Sequence, residues 1–324
     1  MSAVKRSLPV AAVLALFAAT VVWSQAAVDG ARRGLELCAQ TIVPTLLPFF
    51  VLSNLLCLLG LPAWIGARCE RLFRALFGVS GEGAAAFLFG IVGGYPLGAA
   101  SAAQLCSSGA IKHDEGERLL RFCNNTGPAF IVGMAGVGVF SSSGAGLLLY
   151  GVHMAAAALA GALLCRGSAP VSRRAPQFKA ESLPNALTDS MFRAVKSSAL
   201  VSGFVIFFSM LTALMRESGI FTAAAGLIYE ALPLSIGRCE GLLMGFIELG
   251  SGIASLGKMQ PCAQDLALAA FILGWGGLSV QLQAAAVVSG SGLSYGLRCA
   301  GAKLLHGLLS AALAFAAGGI IYGM

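Results

Sequence analysis

From Leu37 to Ala67, and again from Gly83 to Ile111, the chain carries no ionised side chain, yet each run is interrupted in its interior. Pro44 and Pro48 fall in the first, and Gly93-Gly94-Tyr95-Pro96 sits in the middle of the second. A helix needs about 20 apolar residues to cross a hydrocarbon core of about 30 Å, so such runs belong in a bilayer. Proline removes a backbone donor, and in lipid each freed carbonyl must find a partner within the protein. The feature therefore predicts not a simple bundle of straight spans but a membrane protein with deliberately broken ones.

Composition agrees. Only 11% of the 324 residues are charged and 57% are hydrophobic, against about 25% charged in soluble domains. A disordered chain, a coiled coil and a soluble α/β enzyme are excluded. The net charge of +7 comes from basic residues lying between apolar runs rather than in one stripe with interleaved aromatics, which speaks against nucleic acid. Nine cysteines are scattered singly, with no CxxC pair, and read as small buried hydrophobes.

Along the chain, Lys5 and Arg6 precede an uncharged run from Ser7 to Val28. Ser24-Gln25-Ala26 resembles a signal-cleavage site, but residues 1–30 are read as a retained transmembrane helix, a signal anchor. Residues 31–165 form a first repeat. It holds a span containing Pro44 and Pro48, an amphipathic interfacial helix at 62–77 with Arg68, Arg71 and Arg74 among Trp64, Leu72, Phe73 and Phe77, and a hairpin at 81–110. At about 1.5 Å per residue, each half of that hairpin reaches about half-way through the bilayer core, which suits a re-entrant turn better than a straight crossing. Two spans follow, the first carrying Asn124-Asn125-Thr126-Gly127-Pro128 inside its apolar stretch.

Residues 166–187 are the one polar linker and are expected in the cytoplasm. From 188 to 324 the order of parts repeats: a span, a mixed segment, a glycine-broken hairpin at 238–260, a span with a polar glycine-rich middle, and a closing span. FLFGIVGGYPLGAAS matches LLMGFIELGSGIASL weakly but colinearly, as NNTGPAFIVG matches GWGGLSVQLQ. With the first hairpin re-entrant and the amino terminus inside, most of the 21 Lys and Arg face the cytoplasm, leaving Arg32, Arg33, Arg216, Arg238 and Lys258 outside. That arrangement satisfies the positive-inside rule, and it makes the second hairpin enter from the opposite side. The fold expected is all-α: a polytopic membrane protein of two inverted repeats, each with a re-entrant hairpin and a broken transmembrane helix. Inverted repeats with broken helices meeting at the midplane hold substrates and ions in many secondary transporters, although glycines in membrane helices also serve close packing.

Candidate binding residues follow from polarity at membrane depth. Glu248 is the only acid in the apolar hairpin segment GLLMGFIELGSG, and an ionisable group there is costly unless paired, solvated or neutralised. It is read as an acceptor for a polar ligand or for a coupling Na+ or H+, the competing reading being a protonated or snorkelling carboxyl near the hairpin mouth. Asn124, Asn125 and Thr126 offer donors and acceptors beside the carbonyls freed by Pro128, for a ligand or for helix-to-helix hydrogen bonds. Ser279 and Gln281, with Gln283, occupy the equivalent span of the second half. Gly94, Tyr95 and Pro96 form the first hairpin tip, and Gly250 and Ser251 the second, where glycine lets backbone approach a ligand.

His153 and His306 read as packed core groups, and Asp114, Glu115 and Glu117 as solvated helix-opening carboxylates. HExxH, GxSxG and Walker patterns are absent, so no enzyme is expected, and no cofactor beyond the coupling ion.

The blocks PTLLPFFVLSNLL, GIVGGYPLGAASAAQLCSSGAI and ERLLRFCNNTGPAFIVGMAGVGVF resemble the YlbJ family of sporulation integral membrane proteins, and through it the wider group with a nucleoside recognition or Gate domain. The order of hairpin then polar-broken span, twice over, is also distantly similar to the core of concentrative nucleoside transporters. Those carry Gln and Glu at the first tip, where this chain has Gly94-Tyr95-Pro96. The resemblance implies a multi-pass protein of the bacterial cell membrane with a role in spore formation. Together with the broken spans it gives two expectations: secondary transport of a small polar, nucleoside-like solute, or a non-transporting membrane organiser read by a partner protein. The lipid bilayer, the solute and a second copy of the chain are the partners expected.

Overall fold

The computed structural model describes residues 3–165, 182–231, 234–257 and 259–322. Most of the polar linker, with Arg166, Arg173, Arg174 and Lys179, lies outside the described residues, as does Lys258. The described chain is helical and contains no strand.

Helix α1 (Ala3–Val22) gives way at Trp23 to α2 (Ser24–Leu37), and the two are bent by 99°. The apolar run from Ser7 to Val28 is thus two pieces, and α2 packs its small residues onto a later helix. A β-carbon on Gly30 would stand 2.9 Å from the Met210 Cα, and one on Gly34 2.8 Å from that of Ile206. A π-helical turn (Cys38–Ile42) then leads into α3 (Val43–Leu58). Pro44 and Pro48 lie at and within the start of α3, and the wider turn occurs where proline withholds ordinary helical donors.

At Gly60 (φ 97°) the chain bends 79° into α4 (Leu61–Phe77). This helix is amphipathic as the sequence predicts. Ile65, Phe73 and Phe77 are buried while Trp64, Leu72 and Leu76 are exposed, and the Arg68 guanidinium lies 3.8 Å over the Trp64 ring.

The next elements are α5 (Gly83–Gly93) and α6 (Leu97–Ser107), folded back on each other at Gly94-Tyr95-Pro96. Gly90 and Gly98 permit the close approach, since a β-carbon on Gly90 would stand 3.2 Å from the Gly98 Cα. After the short α7 (His113–Leu119), residues 124–127 run without helix between α7 and a π-helical segment (Ala129–Val139), which leads to α8 (Ser143–Cys165).

The second half comprises α9 (Leu183–Glu217), α10 (Ile220–Tyr229), α11 (Ile236–Ile247) and α12 (Leu249–Ser255), then α13 (Ala263–Trp275), α14 (Gly277–Val288) and α15 (Leu297–Tyr322). Helices α11 and α12 fold back at Glu248, where a β-carbon on Gly252 would stand 2.2 Å from the Gly245 Cα. Helices α13 and α14 form one broken span, interrupted at Gly276 (φ 80°) and Gly277 (φ 81°). Element for element, α3–α8 and α9–α15 present the same order: span, short helix, folded-back pair, broken segment, closing helix. The two first spans, α3 and α9, pack together, as do the two closing helices, α8 and α15.

Among the described residues, four helices or broken helices are long and apolar enough to cross a membrane, or six if each bent pair counts as one span.

Candidate functional site

The two folded-back pairs and the two helix breaks meet. At the first tip, a β-carbon on Gly94 (φ 84°) would stand 2.7 Å from the Gly127 amide nitrogen, so the tip touches the 124–127 break backbone to backbone. Just behind it, the Cys123 carbonyl is clamped between α5 and α6, 1.8 Å from where a β-carbon would stand on either Gly90 or Gly98. At the second tip, a β-carbon on Gly277 would lie 3.1 Å from both the Ile247 oxygen and the Leu249 nitrogen. Each tip therefore rests on the break of its own half. Tyr95 joins the halves: its hydroxyl donates to the Leu273 carbonyl at 3.3 Å and lies beside Gly276. The Thr126 hydroxyl donates to the same Leu273 carbonyl at 2.9 Å, which places two donors on a carbonyl just ahead of the Gly276 break.

Between the tips lies a cavity of about 490 Å³, within the range of small-ligand sites. Its polar wall is Tyr95, Thr126, Glu248 and Gln283 with the backbone of Gly93, Gly94, Gly127 and Gly250; α3 and α9 close it with apolar side chains such as Leu46, Phe49, Val201 and Val205. A second cavity of about 600 Å³ surrounds the Arg238–Asp265 ion pair (2.7 Å) at the open end of the α11–α12 pair, away from both tips.

The expected binding residues divide accordingly. Gly94, Tyr95, Thr126, Glu248 and Gly250 line the tip cavity; Asn124, Asn125, Pro96, Ser251, Ser279 and Gln281 do not. Glu248 caps α12, accepting from the Gly250 and Ser251 amides at 2.8 and 2.5 Å. Those bonds to orphan helix donors account for a carboxyl group that is only 4% exposed. The Ser251 hydroxyl turns instead to Thr212 of α9, 3.5 Å away. Asn125 donates to the Phe122 carbonyl at 3.0 Å, and the Asn124 amide is buried without a hydrogen-bond partner among the described residues. Pro96 follows a cis peptide bond behind the tip. On α14, Gln283 reaches the cavity and donates to Ser279 at 3.1 Å, while Gln281 points elsewhere. Residues 280 and 283 share a helix face that 281 does not, a distinction the 3.6-residue period makes available once the cavity side is known.

A second polar group, which the sequence reading assigned to topology and packing, lies against the cavity wall. Lys303, counted there among the cytoplasmic cations, is 1% exposed within the bundle. Its Nζ donates to the Asn124 carbonyl at 3.0 Å, lies 2.9 Å from His306 Nδ1, and sits 4.9 Å over the Tyr95 ring. His306 Nε2 donates to the His153 carbonyl at 3.0 Å, and His153 Nε2 accepts the Thr126 amide at 3.0 Å. The two imidazoles, one from each closing helix, have centroids 4.4 Å apart. The signal that could have found this group is the spacing Lys303-x-x-His306, which puts both side chains on one face of an apolar span.

Glu115 also departs from the expectation of a solvated carboxylate. It is 1% exposed and accepts from the amide and hydroxyl of Ser80, at 2.6 and 2.5 Å, pinning the turn before α5. Among the described residues no three His, Cys, Asp or Glu side chains gather as a metal-holding group.

No family model matches the chain, and no solved structure does. Among curated proteins it is similar to the sporulation integral membrane protein YlbJ of Bacillus subtilis, 29% identical over 308 residues, covering 85% of this chain and 74% of that protein. It is also similar to the inner membrane protein YjiG of Escherichia coli, 36% identical over 89 residues, covering 27% of this chain and 56% of that protein. These relatives and the long apolar helices identify a multi-pass protein of the cell membrane, and the extent of the first match supports the YlbJ family.

Proposed function

We propose that the chain is a carrier, a secondary transporter of a small polar solute bound between the hairpin tips, performing no chemical step of its own. The observation that carries this reading is the convergence of both folded-back helix pairs, the 124–127 break and α14 on one cavity of about 490 Å³. Unwound backbone at such a point offers unpaired N–H and C=O groups to a ligand without exposing them to lipid.

In this reading α5–α6 and α11–α12 are re-entrant hairpins entering from opposite leaflets, and the two halves are inverted repeats of one unit. The matching order of elements and the pairings α3 with α9 and α8 with α15 support that relation. Alternating access would come from moving one unit against the other, with the tips opening in turn. A nucleoside-like solute is the first class to test, on the similarity of element order to the concentrative nucleoside transporters and the Gate domain group. A mixed wall of Thr126, Gln283 and exposed backbone suits hydroxyl and heterocyclic hydrogen-bonding groups. A sporulation-associated role is supported by the name of the Bacillus relative.

The test is uptake into vesicles reconstituted with the wild-type protein, paired with solute-dependent thermal stabilisation, over a panel of nucleosides, nucleobases and inorganic ions. Saturable uptake with a matching stabilisation is expected for at least one compound. Neither response across the panel would sink the carrier reading and leave the organiser reading in its place.

A further inference from the structure

We infer that Lys303, with His306 and His153, forms a proton-binding site behind the cavity wall that holds its proton more tightly when the first hairpin tip lifts away than when it is docked. This use of the site in a transport cycle rests on the carrier reading; the site itself does not.

The hydrogen-bond directions are forced. The His153 carbonyl can only accept, so His306 carries a proton on Nε2 and, when neutral, presents the Nδ1 lone pair to Lys303. The Thr126 amide can only donate, so His153 accepts on Nε2 and carries its proton on Nδ1, an atom buried without a partner among the described residues. An ammonium at Lys303 has three N–H groups, and three acceptors surround it: the Asn124 carbonyl, His306 Nδ1 and the face of the Tyr95 ring. The cage fits a protonated amine. The proton can also pass from Nζ to His306 Nδ1 across 2.9 Å with no movement of heavy atoms.

Nothing nearby neutralises that charge. Among the described residues no carboxylate lies within ion-pair distance of Lys303. The titratable groups facing it are His306 on its own helix, His153 from α8, Cys123 from the 120–128 segment and Tyr95 from the tip, with Cys299 and Tyr295 behind Cys123. Burying a cation without a counter-charge is costly, and its dipolar acceptors offset that cost only in part. Two of the three acceptors, the Asn124 carbonyl and the Tyr95 ring, belong to the break and the tip, whereas Lys303 and His306 belong to α15. Undocking the tip withdraws the Tyr95 ring while Asn124 stays with the break, and water entering in its place solvates the ammonium, so undocking takes up a proton. The same movement opens the cavity, because Gly93, Gly94 and Tyr95 of the tip are part of its wall. Proton binding and tip position are thereby one linked equilibrium.

The experiment needs no solute. Purified protein in lipid nanodiscs is followed by hydrogen exchange at residues 94–98 and 124–127 across a range of pH, after correction for intrinsic exchange, in wild type, Lys303→Arg and His306→Gln. In wild type, protection at both segments is expected to rise with pH, approaching about tenfold per pH unit, the limit for one linked proton. Lys303→Arg, which keeps the charge at every pH, is expected to lose that dependence. Because Lys303→Arg or His306→Gln could fail to fold, the wild-type profile is also read by the side-chain nitrogen resonance of lysine, which should show one buried amine titrating with the protection change. Tip protection independent of pH in wild type, or an unchanged dependence in folded Lys303→Arg, overturns the proposal. A wild type that shows the linkage but takes up no solute keeps the proton site and removes the carrier reading, and uptake without the linkage does the reverse.

Discussion

Gly94 and Gly127 meet backbone to backbone, with the amide nitrogen of Gly127 standing 2.7 Å from the place a Gly94 β-carbon would occupy. The backbone of Gly94 is also left-handed (φ 84°), so the position is closed to other residues on two separate grounds. Gly94→Ala should cost at least about 1–3 kcal/mol, the range for strained backbone conformations, read as a lower melting temperature in detergent. Gly151→Ala is the control. Its β-carbon would meet nothing within 4 Å on the outside of α8, and the change should be neutral or stabilising by up to about 1 kcal/mol.

The two oxygens of Glu248 are committed to the first amides of α12. Glu248→Ala should destabilise by about 0.5–2 kcal/mol, as loss of an N-cap does. Glu248→Gln keeps an acceptor for one amide and should lose less. If both variants melt with wild type, the cap contributes nothing and the carboxylate is held for another purpose.

Gln283 and Gln281 test whether the cavity rather than general polarity matters. Gln283→Leu removes the one amide side chain in the wall and should abolish solute-dependent stabilisation, while changing intrinsic stability by about 1 kcal/mol for the lost bond to Ser279. Gln281→Leu leaves the wall intact and should preserve the response. Equal effects of the two on binding would place the ligand elsewhere.

Glu115 should make stability depend on pH. Burial raises its carboxyl above the usual carboxylate range, with the two bonds from Ser80 opposing the rise. A raised value means the folded protein holds this proton more tightly than the unfolded chain. The contribution is therefore complete below the unfolded carboxylate value and is lost as pH climbs through the folded one. Relative to Glu115→Gln, which cannot ionise, wild type should lose melting temperature between acid and neutral pH. A constant difference between the two across that window would show that Glu115 does not titrate there.

Much of the fold is legible in the residues. The uncharged run broken at Gly93-Gly94-Tyr95-Pro96 gives the first folded-back pair, the glycines around Glu248 give the second, and the Arg-bearing amphipathic pattern of 62–77 gives α4. Asn124 to Pro128 reads as a break because proline and glycine both interrupt a helical ladder. The apolar stretch through Trp23 does not announce its 99° bend, since periodicity reports that a segment is helical and not the direction in which it runs on.

The candidate site is legible only by residue type. A polar side chain inside an apolar span declares that it needs a partner, because lipid supplies none, and this picked out Glu248, Thr126 and the polar residues of α14. Which of them face one cavity depends on the rotation of each helix about its axis, and that is set by packing between elements far apart in the chain. The same reason hid Lys303. By sequence it is one more basic residue near the start of a span, and by charge it belongs with the cytoplasmic set. Only the docking of α15 against α8 and the 124–127 break, over a separation of about 180 residues, turns it inward onto Asn124 and Tyr95. The chain's composition and its broken apolar runs determined that it resides in a membrane and where its helices stop. The long-range packing of those helices decided which polar groups share a cavity, because hydrophobic burial specifies that a surface is covered and not by what.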